Sequence, residues 1–213
     1  SSLYGGSWQE GAGAVFAENQ ALRWIADLAG LPQSAGGVFV QGGTIGNLSA
    51  LVAARAHARG KYPNTSRWAI ACSAEAHSSI ASAANIMDVE LLSIEPGADR
   101  KLHGDAVGAA IDNLHATSQT RVFAVVATGG TTNLGIVDDL TSVGAATHER
   151  DIWFHVDGAY GLAALCAPSV RARFNGVEAA DSLIVDPHKW LFAPFDACAL
   201  IYRNPEIAKQ AHT

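Results

Sequence analysis

The sequence contains few cysteines, few charged residues and no long apolar run. Its 213 residues include three cysteines with no CxxC pair, which argues against a disulfide framework and favours a reduced, intracellular state. Only 16% of the residues are charged, the formal net charge is −6, and the basic residues form no stripe, so we expect no nucleic-acid partner. No apolar run could span a membrane and no secretory signal is visible, so we expect no membrane partner and a cytoplasmic location.

Several catalytic motifs are also absent. The sequence has no HExxH and no Cys/His spacing typical of zinc, so no metal site is predicted. It has no GxSxG nucleophile elbow and no GxxxxGK[ST] phosphate loop. Gly42, Gly43 and Gly46 have the wrong spacing for GxGxxG. The sequence therefore lacks the common signatures of zinc hydrolases, of serine hydrolases of the α/β type and of nucleotide-binding domains.

Short apolar runs that alternate with helical stretches predict one α/β domain with a mostly parallel sheet flanked by helices. The predicted strands cover residues 68–72, 89–94, 121–127, 152–157, 182–185 and 197–202, and the last is a candidate antiparallel strand. The predicted helices cover residues 48–59, 77–87, 105–117 and 138–150. A further helix is predicted over 14–29, ended by Gly30, with an apolar face made of Val15, Leu22, Ile25 and Leu28.

Polar residues follow several of these strands, where a parallel sheet binds its ligands. His77 follows the strand near residue 70, Thr132 follows the strand 121–127, Asp157 ends the next strand, and Lys189 follows 182–185. A lysine and a carboxylate on neighbouring strand ends suit pyridoxal phosphate chemistry, in which the amine forms a Schiff base and the carboxylate keeps the pyridine nitrogen protonated. The alternatives are a solvated lysine and Asp157 as a helix N-cap.

A glycine-containing turn, Gly42-Gly43-Thr44, directly precedes a helix. The N–H groups and dipole of a helix start can bind phosphate, although an ordinary loop with Thr44 as N-cap is the alternative. The loop 128–135 has hydroxyl groups that could contact the phenolic oxygen of a cofactor. The alternative is that it is a plain turn. His77 could stack on an aromatic cofactor or lie in solvent at a helix start, and His188 could contact phosphate or substrate.

These motifs, in this order, resemble the group II pyridoxal-phosphate-dependent decarboxylases, which include the aromatic-amino-acid, glutamate and histidine decarboxylases. The resemblance is carried by Gly-Gly-Thr with Asn47 and the helix after them, His77-Ser78-Ser79, His-Val-Asp-Gly-Ala-Tyr at 155–160, and Asp-Pro-His-Lys-Trp at 186–190. It spans nearly the whole chain, and the Asp-Pro-His-Lys-Trp block is its most specific part.

The resemblance implies the type I aminotransferase-like fold and pyridoxal 5'-phosphate as cofactor. It implies that Lys189 forms the Schiff base and that Asp157 contacts the pyridine nitrogen. His77 would stack on one face of the ring, and Ala159 would pack against the other.

The resemblance also implies a phosphate site and a contact to the phenolic oxygen. Gly43, Thr44 and His188 would hold the phosphate, with Asp186 nearby at a position where some relatives carry Asn. Thr132 would lie near the phenolic oxygen.

The implied reaction is decarboxylation of an L-amino acid to the amine and carbon dioxide. His77-Ser78-Ser79 resembles the aromatic-amino-acid enzymes, so an aromatic amino acid is a candidate substrate. The alternatives are another lyase or an aldehyde synthase on the same fold, or a non-catalytic truncated chain that binds the cofactor or a partner.

Compared with the family, residues 1–213 correspond to the large cofactor-binding domain alone. The N-terminal arm, the C-terminal small domain and the loop whose tyrosine protonates the product are expected to lie outside them. We therefore expect a homodimer for the full-length form and no decarboxylase activity for the 213-residue chain by itself.

Overall fold

A computed structural model of the protein describes residues 8–212. Seven strands form one sheet: β1 (Gly36–Val40), β2 (Arg67–Ser73), β3 (Glu90–Ile94), β4 (Thr120–Thr128), β5 (Trp153–Asp157), β6 (Ser182–Val185) and β7 (Cys198–Tyr202). Their order is β1-β7-β6-β5-β4-β2-β3. The pairs from β6 to β3 are parallel, whereas β7 is antiparallel to both of its neighbours. The predicted α/β class and the antiparallel last strand are confirmed, and β1 is an additional strand.

In the part of the chain that the structure describes, six α-helices flank the sheet: α1 (Trp8–Leu28), α2 (Gly43–Lys61), α3 (Ser78–Ile86), α4 (Gly104–Thr117), α5 (Leu140–His148) and α6 (Pro205–His212). Three short 3-10 segments, Gly161–Cys166, Pro168–Phe174 and Val177–Ala179, connect β5 to β6. The sequence patterns did not predict these segments or α6. None of the helices between Trp8 and His212 is long and apolar enough to cross a membrane.

Helix α1 ends where its sequence predicts, but its buried face differs. The Gly30 N–H donates to the Asp27 carbonyl at 3.0 Å and Gly30 has a φ of 72°, a left-handed conformation that glycine adopts readily at a helix end. Ala26 and Ala29 are fully buried, whereas Leu28 is 39% exposed. The prediction that Leu28 belongs to the buried face is therefore wrong, because two small alanines allow the helix to approach the sheet instead.

The sheet is covered by apolar layers on both faces, as continuous apolar strands require. Helices α1, α4 and α5 cover one face together with buried Phe154 and Val156 of β5. Helices α2, α3 and α6 cover the other face together with Trp153 of the same strand. Because β5 is central, its carboxyl end lies between these two layers, where a site can be shielded from water on several sides.

Candidate active site

A cavity of about 600 Å³ lies at the carboxyl ends of the central strands. In the parallel register Thr128 at the end of β4 pairs with Asp157, and Asp157 pairs with Ile184 of β6. The strand ends therefore meet, as the sequence predicts. Every residue predicted for the site lines this cavity: Gly43, Thr44, His77, Thr132, Asp157, Ala159, Asp186, His188 and Lys189.

The glycine turn before α2 forms one wall of the cavity. Gly42 has a φ of 88° and is the N-cap of α2, with no side-chain capping bond. The alternative that Thr44 is the N-cap is therefore wrong, since Thr44 lies in the first turn of the helix. A Cβ atom at Gly43 would come within 3.2 Å of Asp186 Oδ2 and 3.3 Å of the Ala159 Cβ. A glycine here keeps the positive end of the helix dipole open to the cavity.

Lys189 presents its amine to the cavity from the turn after β6. Its backbone N–H donates to the Asp186 carbonyl at 2.9 Å, and its Nζ lies 2.9 Å from Asp186 Oδ2. The Lys189 side chain is 38% exposed, whereas that of Asp186 is 1% exposed. The buried carboxylate therefore holds a lysine that small molecules can still reach. His188 lies beside this pair, with its Nε2 3.7 Å from Asp186 Oδ2.

Asp157 is buried at the end of β5 and accepts two hydrogen bonds. Asn47 Nδ2 donates to Oδ2 at 2.8 Å, and the Ala159 backbone N–H donates to Oδ1 at 3.1 Å. The alternative role of Asp157 as an N-cap is wrong, because Tyr160 occupies the N-cap of the 3-10 segment Gly161–Cys166. The Asp157 carboxylate is instead a boundary of the cavity.

His77 caps helix α3 and also lines the cavity. Its Nδ1 accepts the Ser79 backbone N–H at 3.2 Å and lies 2.9 Å from Ser79 Oγ. The position at a helix start is confirmed, whereas stacking on a cofactor stays a prediction. Near it, Tyr160 stacks on Trp190 with ring centroids 5.3 Å apart.

This geometry agrees with the comparison with known families. Residues 5–213 match the pyridoxal-dependent decarboxylase conserved domain. The chain belongs to the pyridoxal-dependent decarboxylase family. The predicted resemblance to the group II decarboxylases is thus confirmed, since the related sequences include aromatic-L-amino-acid, L-2,4-diaminobutyrate and histidine decarboxylases.

Three individual relatives show how far this likeness extends. An aromatic-L-amino-acid decarboxylase of Bacillus atrophaeus is 34% identical over 204 residues, covering 94% of this chain and 42% of the relative. A 4-hydroxyphenylacetaldehyde synthase of Rhodiola rosea is 31% identical over 218 residues, covering 96% and 44%. The crystal structure of Oryza sativa TDC with PLP and tryptamine has a TM-score of 0.89 at 29% identity, covering 96% of this chain and 45% of that one.

These coverages have two consequences. The type I fold expected from the sequence is confirmed, because solved decarboxylases superpose on almost the whole chain. The chain spans about two fifths of the length of the curated relatives it matches.

Some residues that line the cavity were not predicted from the sequence. Arg100, from the loop between β3 and α4, pairs with Glu75, with Arg100 Nη2 2.8 Å from Glu75 Oε1. Neither residue lies in a motif that signals a site. Asn47 was part of a motif but had no assigned role, and its contact with Asp157 joins residues 110 positions apart. No local pattern reveals such a contact.

A fully buried histidine lies directly behind the site. His155 Nε2 is 2.9 Å from Asn47 Oδ1, and its Nδ1 is 2.8 Å from Ser182 Oγ. Burial lowers the pKa of His155 to about 4, against the opposing effect of the Asp157 carboxylate. The imidazole is therefore neutral at physiological pH.

Proposed function

We propose that this chain is the large, cofactor-binding domain, residues 1–213, of a pyridoxal-phosphate-dependent enzyme that decarboxylates an L-amino acid. The main support is that the Lys189 amine, the Asp157 carboxylate and the start of α2 all border one cavity. Family membership favours the same reaction, since the related sequences are mostly amino-acid decarboxylases.

The start of α2 suits the phosphate group of the cofactor. Gly43 leaves room that a side chain would fill, and a helix N-terminus attracts an anion through its N–H groups and dipole. We propose that Gly43, Thr44 and His188 hold the phosphate. Asp186 is a carboxylate beside this anion, and the Lys189 amine at 2.9 Å offsets its charge.

The part of the cavity wall formed by Asp157 suits the pyridine ring. We propose that Asp157 holds a proton on the ring nitrogen, a role that suits a carboxylate already fixed by two N–H donors. His77 and Ala159 would flank the two faces of the ring, and Thr132 would lie near the phenolic oxygen. Bound pyridoxal phosphate supplies an electron sink for the electrons left at the α-carbon when carbon dioxide departs.

Lys189 has the role of the amine that attaches the cofactor covalently. Its Nζ is oriented by Asp186, and its partial exposure leaves it accessible to an incoming amino acid. The same exposure lets an incoming substrate amine take its place. Lys189 thus binds the cofactor covalently, whereas Asp157 holds a proton on the nitrogen at the other end of the ring.

For the substrate, we propose an aromatic L-amino acid. The support is the His77-Ser78-Ser79 motif and the 34% identity to a bacterial aromatic-L-amino-acid decarboxylase. The second candidate function is aldehyde synthesis, because the Rhodiola rosea relative with that activity in its name is 31% identical over 96% of this chain. Product analysis separates the two, since one gives an amine and the other an aldehyde.

We also propose that the protein works as a homodimer in the cytoplasm. Trp190, Phe192 and Phe195 are 47%, 87% and 84% exposed near Lys189, an apolar surface that a second subunit would cover. Cys72, Cys166 and Cys198 are free thiols, as a reducing compartment favours.

Covalent trapping tests the proposal. The protein that carries this chain is incubated with pyridoxal phosphate, reduced with borohydride, digested and mapped by mass spectrometry. The label is expected on Lys189, because this amine borders the cavity. A Lys189→Arg variant keeps the charge and should lose the label, whereas a matched Lys209→Arg variant on α6 should keep it. A label on Lys61, Lys101 or Lys209 in the unmodified protein would contradict the assignment.

The reaction itself is tested by product release. Tyrosine, tryptophan, phenylalanine, histidine and glutamate are supplied separately, and amine, aldehyde and carbon dioxide are measured. We expect amine and carbon dioxide in equal amounts from an aromatic substrate. Aldehyde in place of the amine supports the second candidate, and no product from any of them with cofactor bound at Lys189 contradicts both.

A further inference from the structure

A chain of hydrogen bonds runs behind the cavity from the middle of the sheet to Asp157. Trp153 Nε1 donates to Ser182 Oγ at 2.8 Å, and Ser182 Oγ lies 2.8 Å from His155 Nδ1. His155 Nε2 lies 2.9 Å from Asn47 Oδ1, and Asn47 Nδ2 donates to Asp157 Oδ2 at 2.8 Å. Trp153, His155 and Asp157 alternate along β5, so they share the face that α2 covers.

A branch of this chain leads to the other predicted ring contact. Asn47 Nδ2 also donates to Ser79 Oγ at 3.0 Å, and Ser79 Oγ lies 2.9 Å from His77 Nδ1. The Asn47 side chain is thus one step from both Asp157 and Ser79, and two steps from His77. Asn47 is itself 1% exposed, so no solvent competes for these bonds.

The two end residues of this series of hydrogen bonds determine the direction of every bond in it. The Trp153 indole can only donate, and an ionised Asp157 can only accept. The Asn47 amide must therefore face Asp157, because the reversed orientation would set its carbonyl against a carboxylate. The Asn47 carbonyl then faces His155, which must donate to it from Nε2.

The same reasoning fixes the remaining protons. His155 is completely buried and neutral, so with a proton on Nε2 its Nδ1 is an acceptor. Ser182 then donates its hydroxyl proton to His155 and accepts from Trp153. Each member has a partner for its donor and its acceptor, which is the arrangement in which a buried polar network is stable.

The branch fixes His77 independently. The Ser79 backbone N–H can only donate, and it points to His77 Nδ1 at 3.2 Å. Nδ1 is therefore an acceptor, and a singly protonated His77 ring carries its proton on Nε2. The Ser79 hydroxyl accepts from Asn47 and donates to the same Nδ1.

We propose that Asn47 is a positioning residue that sets the orientation of the Asp157 carboxylate and, through Ser79, the direction of the hydroxyl bond to His77 before the cofactor binds. The inference rests on the proposed function of the cavity. A merely structural role for Asn47, joining α2 to β5, would affect folding stability but neither the tautomers nor the affinity for pyridoxal phosphate in the folded protein.

The first test needs neither cofactor nor turnover. Nitrogen chemical shifts of the histidine rings are measured by NMR on the cofactor-free protein with labelled histidine, and the signals are assigned with His155→Gln and His77→Gln variants. Both rings are expected to carry the proton on Nε2 at neutral pH. A proton on Nδ1 of His155 would overturn the inference, because the bond directions would then be reversed.

The second test measures the dissociation constant of pyridoxal phosphate and the absorbance spectrum of the bound cofactor. Asn47→Leu is expected to weaken binding at least about tenfold, the scale of losing one hydrogen bond to a charged group. Ser182→Ala lies outside the cavity wall and should weaken binding by a smaller factor, about threefold, and shift the spectrum in the same direction. The matched control is Thr147→Val, since Thr147 is equally buried and its hydroxyl, which the substitution removes, donates only to carbonyls of α5.

The outcomes of the two tests are separable from failure of the proposed function. If the unmodified protein does not bind pyridoxal phosphate, the proposed function fails, and the tautomers still decide the bond directions. If it binds and Asn47→Leu binds equally well with an unchanged spectrum, the positioning role is overturned. If Asn47→Leu does not fold, the test rests on Ser182→Ala and on the histidine tautomers. An unchanged affinity of Ser182→Ala for pyridoxal phosphate then overturns the positioning role of Asn47.

Discussion

Asp157 and Asp138 are buried carboxylates near the same edge of the sheet, and different kinds of partner hold them. Asp157 accepts from the Asn47 side chain and from the Ala159 backbone, and it borders the cavity. Asp138 accepts from the backbone N–H groups of Leu102 and Thr128 at 2.8 and 2.7 Å. Thr128 is also the register partner of Asp157, so the two carboxylates lie on neighbouring parts of the structure.

The difference separates a carboxylate suited to chemistry from one suited to structure. Asp138 joins the end of β4 to the segment before α4, and both of its oxygens are used by the main chain. Burial raises the pKa of Asp138 to about 6, although these two hydrogen bonds oppose the rise. A raised pKa in a buried carboxyl is thus not by itself the mark of an active site, whereas a cavity wall with a side-chain donor is.

The strongest test of this comparison is to neutralise each carboxylate in turn. Asp157→Asn is expected to retain the cofactor and lose about a hundredfold to a thousandfold in turnover, because an amide cannot hold the ring nitrogen proton. Asp138→Asn keeps the cavity wall and should stay within about tenfold of the unmodified protein. Steady-state turnover of the full-length form at saturating cofactor measures both, because no decarboxylase activity is expected from the 213-residue chain by itself. Equal losses in the two variants would show that Asp157 acts only as a structural residue.

The next prediction concerns the pH dependence of stability, where Asp138 and His155 act in opposite directions. The folded pKa of Asp138 is about 6, above its model-compound value of 3.8, so its contribution stabilises the fold as pH falls through this window. The folded pKa of His155 is about 4, below 6.5, so its contribution destabilises the fold as pH falls from 6.5 to 4. Each amounts to about 3 kcal/mol, so the two nearly cancel.

Single substitutions should therefore reveal opposite slopes. Relative to the unmodified protein, Asp138→Asn is expected to lose about 3 kcal/mol of unfolding free energy between pH 6 and pH 4, and His155→Gln to gain a similar amount. Urea unfolding at half-unit steps of pH measures both. Parallel curves for the two variants and the unmodified protein would contradict the assigned pKa values.

A smaller effect is expected from moving helix α2, which carries the Asn47 contact to Asp157. A Cβ atom at Gly46 would come within 2.9 Å of both Cys198 Sγ and Ile184 Cγ2, so Gly46→Ala should lower the unfolding free energy by about 2 kcal/mol. Cofactor affinity should fall with it. Gly60→Ala in the same helix meets no atom within 4 Å and is the matched control, expected to be neutral or stabilising. Equal melting temperatures in the two variants would contradict close packing at Gly46.

Much of the fold could be predicted because the strands are short, mostly apolar runs that alternate with helical stretches. Strands β2 to β7 were expected within one or two residues, since each is a continuous apolar stretch between polar turns. Strand β1 contains two glycines and forms because it pairs with β7, a contact between distant parts of the chain. Leu22 and Ile25 of α1 face the core as predicted, whereas Leu28 does not, since Ala26 and Ala29 are buried there instead.

The sequence by itself determined which residues are proposed for the chemistry of the site. Lys189 in its Asp-Pro-His-Lys-Trp turn, Asp157 at a strand end and the glycine turn before α2 are local patterns, and parallel strand order brings such ends together. Only the tertiary structure decided what holds these groups in place. The contacts of Asn47 with Asp157 and His155 join positions 110 and 108 residues apart, and the Ser182–His155 contact spans two strands. A buried polar group needs a hydrogen-bond partner. Which residue the fold brings close enough to be that partner is not encoded in any short segment of the chain.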